Sequence, residues 1–187
     1  MIGQRGPWRV LARREVYRNP WLRVYEDSVI RPDGQPGIYG VVEPEDNAAV
    51  VALDDEGRVA LIAEFVYPLG RELLQIPSGG VHPGEDPLAA AKRELAEETG
   101  LAAERWVSLG RFAFSGGLST QIGYLFLAQG LHRGPARPEG TERLVLRFVP
   151  LAEALALADR SEIIDSPSLV GLYRAARVLG REHQRGE

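Results

Sequence analysis

The stretch that most constrains this chain is SGGVHPGEDPLAAAKRELAEETGL, residues 78–101. Asp86 can cap a first helical turn, and Pro87 suits the first helical position, where its missing N–H needs no partner. Gly100 is a C-terminal stop signal. The spacing therefore predicts a helix over 87–99. Leu88, Ala91 and Leu95 recur at helical intervals and define a face for the core. Glu94, Glu97 and Glu98 recur at the same intervals, so their carboxylates share a face, expected opposite Leu88 and Leu95. A fold that accepts this helix must bury one side and give a dense row of negative charge somewhere to go.

Two uses for that charge are open at this point. One is a solvated helix face, since like-charge pairs at this spacing cost only about 0.2–0.5 kcal/mol each when exposed. The other is a cation site. At about 6 Å and an effective dielectric near 20, each carboxylate pair repels by roughly 3 kcal/mol. A hard divalent cation such as Mg²⁺ or Mn²⁺ turns that repulsion into binding. The glycine-rich loop before the helix, Ser78-Gly79-Gly80, lets backbone approach a ligand without side-chain obstruction.

The rest of the chain reads mostly as strands. Apolar runs near 10–17, 22–30 and 37–43 are broken by turn signals, with Asp33-Gly34 marking a hairpin. Runs at 48–53 and 58–66 flank Asp54-Asp55-Glu56-Gly57, a second hairpin. RELLQIPSGG gives a short strand and then a Pro/Gly loop. WVSLGRFAFS, TQIGYLFLAQGL and LVLRFVPL are further strands, and PLAEALALADR and SPSLVGLYRAARVLGRE are helices. Strands outnumber helices, and the helices flank a mixed sheet. The expected class is α+β: an α/β/α sandwich around a mixed β-sheet, with an N-terminal antiparallel strand region. The expected division is a strand region at 1–45 and a main domain at 46–187.

Composition narrows the function. A net charge of −4 over 187 residues does not suggest a nucleic-acid surface. With no cysteine, disulfides, thiolate chemistry and zinc–sulfur sites are excluded. No apolar run approaches the roughly 20 residues of a membrane span, and the first residues lack a signal-peptide core, so a cytoplasmic protein without a membrane partner is expected. An acidic protein acting on an anionic substrate needs a cation between them.

Gly79, Glu85 and Arg93-Glu94-Leu95-Ala96-Glu97-Glu98-Thr99-Gly100-Leu101 together resemble a complete Nudix box over residues 79–101. Seven specified positions match by chance on the order of 10⁻⁹ per window at average residue usage. The resemblance implies a Nudix fold and a pyrophosphohydrolase using Mg²⁺ or Mn²⁺. The implied substrate is a nucleoside diphosphate linked to a group X, cleaved to a nucleotide and phosphorylated X. It implies Glu94 and Glu98 as central metal ligands, Glu97 as ligand or outer-shell partner, and the Ser78 carbonyl as a further ligand. Glu85 would brace the loop or hold a second metal. Arg93 would pair with Glu85 or another acid of the box, and Gly79 and Gly100 would serve the local geometry. For the general base, the loop RPEGTERL offers Glu142, the favoured candidate, and Glu139, with the box glutamates as the alternative.

Flanking stretches are similar to the ADP-ribose pyrophosphatase and nucleoside-diphosphate-sugar hydrolase branch. They are NPWLRVYEDSVIRPDGQPGIYGVVE, RELLQIPSGGVHPGED and SEIIDSPSLVGLYRA. That likeness implies a homodimer through the N-terminal strands. Trp21 or Tyr39 would then line the nucleotide pocket of the partner subunit, or else simply pack in the sheet. Three positions depart from the branch. Glu64-Phe65-Val66 stands where Gln-Tyr-Arg is common, leaving Arg71 as substitute phosphate contact or surface charge. Ser115-Gly116-Gly117-Leu118 lacks the usual proline, and Thr120-Gln121 lacks the usual acid. The glycines either admit a different X or make a flexible turn. Another diphosphate, such as a dinucleoside polyphosphate or flavin dinucleotide, is the alternative substrate. A Nudix-fold nucleotide sensor without turnover is the alternative function.

Overall fold

The structure is a computed structural model that describes residues 3–134 and 144–183. It contains two compact units: Met1–Asp46 with Ala113–Ile122, and Asn47–Phe112 with Gly123–Glu187.

The first unit is an antiparallel sheet of β1 (Gly3–Arg5), β2 (Trp8–Arg18), β3 (Leu22–Ile30) and β4 (Pro36–Pro44), in that spatial order. Strand β1 is an addition to the sequence expectation. Gly6 at φ +57° and Pro7 form the two-residue turn that folds it onto β2. Asn19 turns β2 into β3, its Oδ1 accepting the Trp21 and Leu22 N–H groups, each at 2.9 Å. The expected Asp33-Gly34 hairpin is present, with Gly34 at φ +83° and the Asp33 carboxylate accepting from the Gln35 N–H. Asp27, only 2% exposed, receives two bonds from Arg13, at 2.7 and 2.8 Å. A carboxylate so enclosed needs such a partner, and the guanidinium holds it below the usual carboxylate range.

The second unit holds β5 (Asn47–Leu53), β6 (Arg58–Val66), β7 (Arg71–Gln75), β8 (Ser78–Gly80), α1 (Pro87–Thr99), β9 (Leu101–Ala113), β10 (Ile122–Arg133), β11 (Val145–Pro150), α2 (Leu151–Asp159) and α3 (Ser166–His183). The sheet order is β11-β6-β5-β10-β9, with β7 on β6 and β8 on β5. Strand β10 runs parallel to β5, while β6 and β8 run antiparallel to it, so the sheet is mixed.

Both faces of this sheet are buried, and the two-residue period of the strands sorts the side chains. Ala49, Val51, Leu61, Leu125 and Leu127 meet Ala154 of α2 and Leu172 and Ala175 of α3. Ala48, Val50, Ala52, Ala60, Phe126 and Ala128 meet Ala90, Ala91 and Leu95 of α1. The result is the expected α/β/α sandwich. The alanines on the α1 side leave room for that helix to lie close to the sheet.

Two local readings change. Ser78–Gly80, read as loop, is a short strand, because it pairs with β5 through Ala49↔Ser78 and Ala48↔Gly79. Strand β9 starts at Leu101, directly after the Gly100 stop, rather than near Trp106. Among the described residues, no helix is long and apolar enough to cross a membrane.

Leu61 is fully buried at the centre of the α2–α3 side. Leu61→Ala should cost about 2–5 kcal/mol. That corresponds to a Tm lower by roughly 4–20 °C for a chain of this size. Calorimetry checks it, and an unchanged Tm would contradict this packing.

Candidate active site

The box helix is built by its ends. Asp86 Oδ1 accepts the Leu88 and Ala89 N–H groups at 2.9 and 3.1 Å. Pro87 occupies the first turn, and Gly100, at φ +68°, donates its N–H to the Ala96 carbonyl at 2.9 Å. Only a residue without Cβ adopts that left-handed geometry freely. Helix α1 therefore starts and stops where the sequence predicts, which fixes the rotation of its acidic residues.

One expectation about that rotation is corrected. Glu94 does not lie opposite the apolar face. It is only 9% exposed and borders Ala90, Ala91 and Leu95. At 100° per residue, position 94 lies about 60° from position 91, so the carboxylate is carried into the seam between helix and sheet. Burial pushes its pKa up, with neighbouring Arg93 opposing the shift.

Arg93 ties the acids together. Its Nε and Nη2 donate to Glu85 at 3.1 and 3.0 Å, and Nη2 also donates to the Gly80 carbonyl at 2.7 Å. Its Nη1 donates to Glu94 at 2.5 Å and Glu97 at 3.0 Å. Glu85 also accepts the His82 N–H at 3.0 Å. The Arg93 guanidinium, and then the His82 amide, hold the Glu85 carboxyl at about 2. A depressed folded-state pKa means this brace contributes fully above the unfolded carboxylate range and is lost as pH falls through about 2. The same acids, Glu85 foremost, push the Arg93 pKa up.

Glu98 reaches the loop directly, its Oε2 accepting the Ser78 N–H at 2.9 Å. A Cβ on Gly79 would stand 2.2 Å from Glu94 Cδ and 2.3 Å from its Oε1. Any side chain there would displace the carboxylate, so glycine at 79 leaves the space that the Glu94 carboxylate occupies. The arrangement places Glu94 and Glu98 beside the Ser78–Gly79 backbone, with Glu97 joined to Glu94 through Arg93 Nη1. Its donors are hard oxygens, the chemistry that suits Mg²⁺ or Mn²⁺. Glu94 is a buried carboxylate whose charge a cation would compensate. By donor chemistry the residues fit a divalent ion. Among the described residues no three acidic or histidine side chains gather around one open point, and Arg93 Nη1 bonds both Glu94 and Glu97.

Of the remaining sequence candidates, Arg71 belongs to the second unit, and Trp21 and Tyr39 to the first. Arg71 is exposed at the start of β7. Trp21 is 71% exposed in the β2–β3 turn, so sheet packing does not account for it. Tyr39 donates its hydroxyl to the Gly117 carbonyl at 2.9 Å and stands edge-on to Trp8 at 5.4 Å. It lines a cavity of about 250 Å³ in the first unit with Trp8, Asp27 and the 116–120 segment. That segment is pinned rather than loose. Leu118 accepts from Val42 at 2.9 Å, and Thr120 donates back to Val42 at 3.0 Å. Glu139 and Glu142 lie outside the described residues. Sequence reasoning missed Ser168, whose hydroxyl, 0% exposed, accepts the Ile76 N–H at 2.8 Å across 92 residues. A lone serine in a helix's first turn reads as a cap, and nothing local reports so distant a partner.

Comparison with known proteins adds the family. The NUDIX domain model matches residues 43–168, and the nucleoside diphosphate sugar hydrolase N-terminal domain model matches residues 8–42. An ADP-ribose pyrophosphatase of Bacillus subtilis (strain 168) is 30% identical over 160 residues, covering 84% of this chain and 86% of its own. A methanol dehydrogenase activator of Bacillus methanolicus is also 30% identical, with the same coverage. A solved structure described as an ADP compounds hydrolase superposes with a TM-score of 0.83 at 22% identity. It covers 94% of this chain and 95% of that one, and at such identity the likeness speaks for the fold. Relatives of equal identity carry different names, so substrate must be argued from this chain's own residues. The domain match over most of the chain, the full-length relatives and the intact box agree: this protein belongs to the Nudix family.

Proposed function

We propose that this protein is a divalent-metal-dependent pyrophosphohydrolase. It cleaves a nucleoside diphosphate linked to X, with ADP-ribose or another nucleoside diphosphate sugar as the substrate class, to a nucleotide and phosphorylated X. The observation that carries this reading is the juxtaposition of Glu94 and Glu98 with the Ser78–Gly79 backbone, with Glu97 joined to Glu94 through Arg93. The name of the Bacillus subtilis relative and the match to a nucleoside diphosphate sugar hydrolase N-terminal domain support the substrate class.

In this reading Glu94, Glu97, Glu98 and the Ser78 carbonyl hold Mg²⁺ or Mn²⁺, and Glu85 braces the loop or serves a second ion. Such an ion supplies charge neutralisation for the diphosphate and acidifies bound water. The protein's share is positioning. Glu98 ties the helix to the Ser78 amide, Arg93 holds the acids against the Gly80 carbonyl, and Gly79 leaves the space that Glu94 fills. The proton of the attacking water goes to a base for which Glu142 is our first assignment and Glu139 the second. Arg71 is the proposed phosphate contact. Trp21, its ring face exposed, suits stacking on a nucleobase. Tyr39 is the second aromatic candidate.

We further assign residues 1–45 to a dimerising strand region and 46–187 to the Nudix domain, in a cytoplasmic homodimer. Exposed Leu11, Tyr17 and Ile38 on the N-terminal sheet support a covered face there.

Three results are expected. A diphosphate panel with product identification should give a nucleoside monophosphate from ADP-ribose or a related sugar nucleotide, with activity abolished by EDTA and restored by Mg²⁺ or Mn²⁺. Tight nucleotide binding with no cleavage of any panel member would instead make the protein a sensor, and cleavage confined to dinucleoside polyphosphates or flavin dinucleotide would move the substrate class. Glu98→Gln should lower kcat by more than about 100-fold, beyond the cost typical of losing an outer-shell partner, with the circular dichroism spectrum retained. A near-normal rate would remove the mechanism. Glu142→Gln should give a smaller but clear loss, of at least about 10-fold, and an unchanged rate would move the base elsewhere.

A further inference from the structure

The backbone between β7 and β8 crosses from one neighbour to another. Strand β7 pairs with β6 as far as Gln75, and β8 pairs with β5 from Ser78. Ile76 and Pro77 lie between the two ladders and are fully buried. A buried N–H outside any ladder must find an acceptor elsewhere. Ile76 finds it in Ser168 Oγ, at 2.8 Å. Pro77 has no N–H to place, and its carbonyl accepts from Val50 at 2.9 Å. The next N–H, of Ser78, goes to Glu98. The crossing is thus held at one end by α3 and at the other by α1, with the Ser78 carbonyl just beyond.

Ser168 is itself held. Asp165 precedes α3, and its Oδ2 accepts the Ser168 N–H at 3.0 Å. The Ser168 hydroxyl has two lone pairs, and one of them accepts the Ile76 N–H. The helix also lies close at this point. A Cβ on Gly171 would stand 3.0 Å from Ile76 Cδ1 and 3.1 Å from Val51 Cγ2. Capping α3 needs only the Asp165 carboxylate and the Ser168 amide. The hydroxyl's bond to Ile76 is additional.

We propose that Ser168, backed by Asp165, is a positioning residue for the metal site: its hydroxyl fixes Ile76 and thereby the location of the Ser78 carbonyl. This inference rests on the reading of Ser78, Glu94, Glu97 and Glu98 as metal ligands. It extends the site to a residue in the C-terminal helix that bears no acidic group and lies outside the box.

Mn²⁺ binding measured by electron paramagnetic resonance on the full chain, without substrate, tests the inference. Ser168→Ala should weaken Mn²⁺ binding by about 10-fold, the lower end of outer-shell effects. Ser168→Thr, which restores the oxygen, should return it to within about two-fold of wild type. A purely structural serine would lower the Tm and leave the Mn²⁺ affinity of the folded protein unchanged. If the alanine variant does not reach a native near-UV circular dichroism spectrum, Ser168→Cys replaces it, offering a much weaker acceptor at similar volume. Wild-type Mn²⁺ affinity in the folded Ser168 variant, with binding weakened in Glu98→Gln, overturns the inference and leaves the metal site standing. Wild-type Mn²⁺ affinity in Glu98→Gln overturns the metal site, and the inference with it.

Discussion

Arg93 is the hub on which the geometry of this molecule's acidic cluster depends. Without it, Glu85, Glu94 and Glu97 would repel one another across a partly buried seam. With it, one guanidinium spans the three acids and the Gly80 carbonyl. The fixed fork of the arginine head explains why this residue type serves here. A lysine ammonium could neutralise charge, but its three donors radiate from one point and would not hold loop and helix at once. Arg93 draws Glu85 down to about 2, while burial pushes Glu94 up.

The rest of the second unit serves that seam. Alanines at 48, 52, 60, 90 and 91 let α1 approach the sheet, and Gly79 lets β8 approach α1 until a single methyl group would collide with Glu94. Across that seam Glu98 accepts the Ser78 N–H. The opposite face of the sheet is packed with leucine, isoleucine and valine against α2 and α3. Rigidity comes from that side and close approach from the other.

What could be read from the sequence follows the range of the forces involved. Helix α1 was legible to the residue because its limits are local: Asp86 and Pro87 at one end, Gly100 at the other. The Asp33-Gly34 hairpin is visible for the same reason. The box was legible because its residue types and spacings are themselves the signal. The burial of Glu94 was missed because a helix face was treated as apolar or polar, whereas a residue 60° from the apolar stripe can belong to both. Strand β8 was missed because Ser-Gly-Gly has no strand propensity, and its pairing with β5 is imposed by tertiary contact. Strand β1 is only three residues and hangs on the Gly6-Pro7 turn. The bond from Ile76 to Ser168 joins two ends of the chain and has no local trace. The aromatic candidates Trp21 and Tyr39 were separated only by structure, one exposed and one engaged with Trp8 and Gly117.

The central claim is that the carboxylates beside the Ser78–Gly80 strand exist to seat divalent cations against a diphosphate. Anomalous diffraction from crystals soaked with Mn²⁺ and a non-hydrolysable ADP-ribose analogue tests it most directly. The account predicts manganese peaks at bonding distance from Glu94, Glu98 and the Ser78 carbonyl, in contact with the analogue's phosphates. Analogue bound elsewhere, with no manganese at these oxygens, would contradict it.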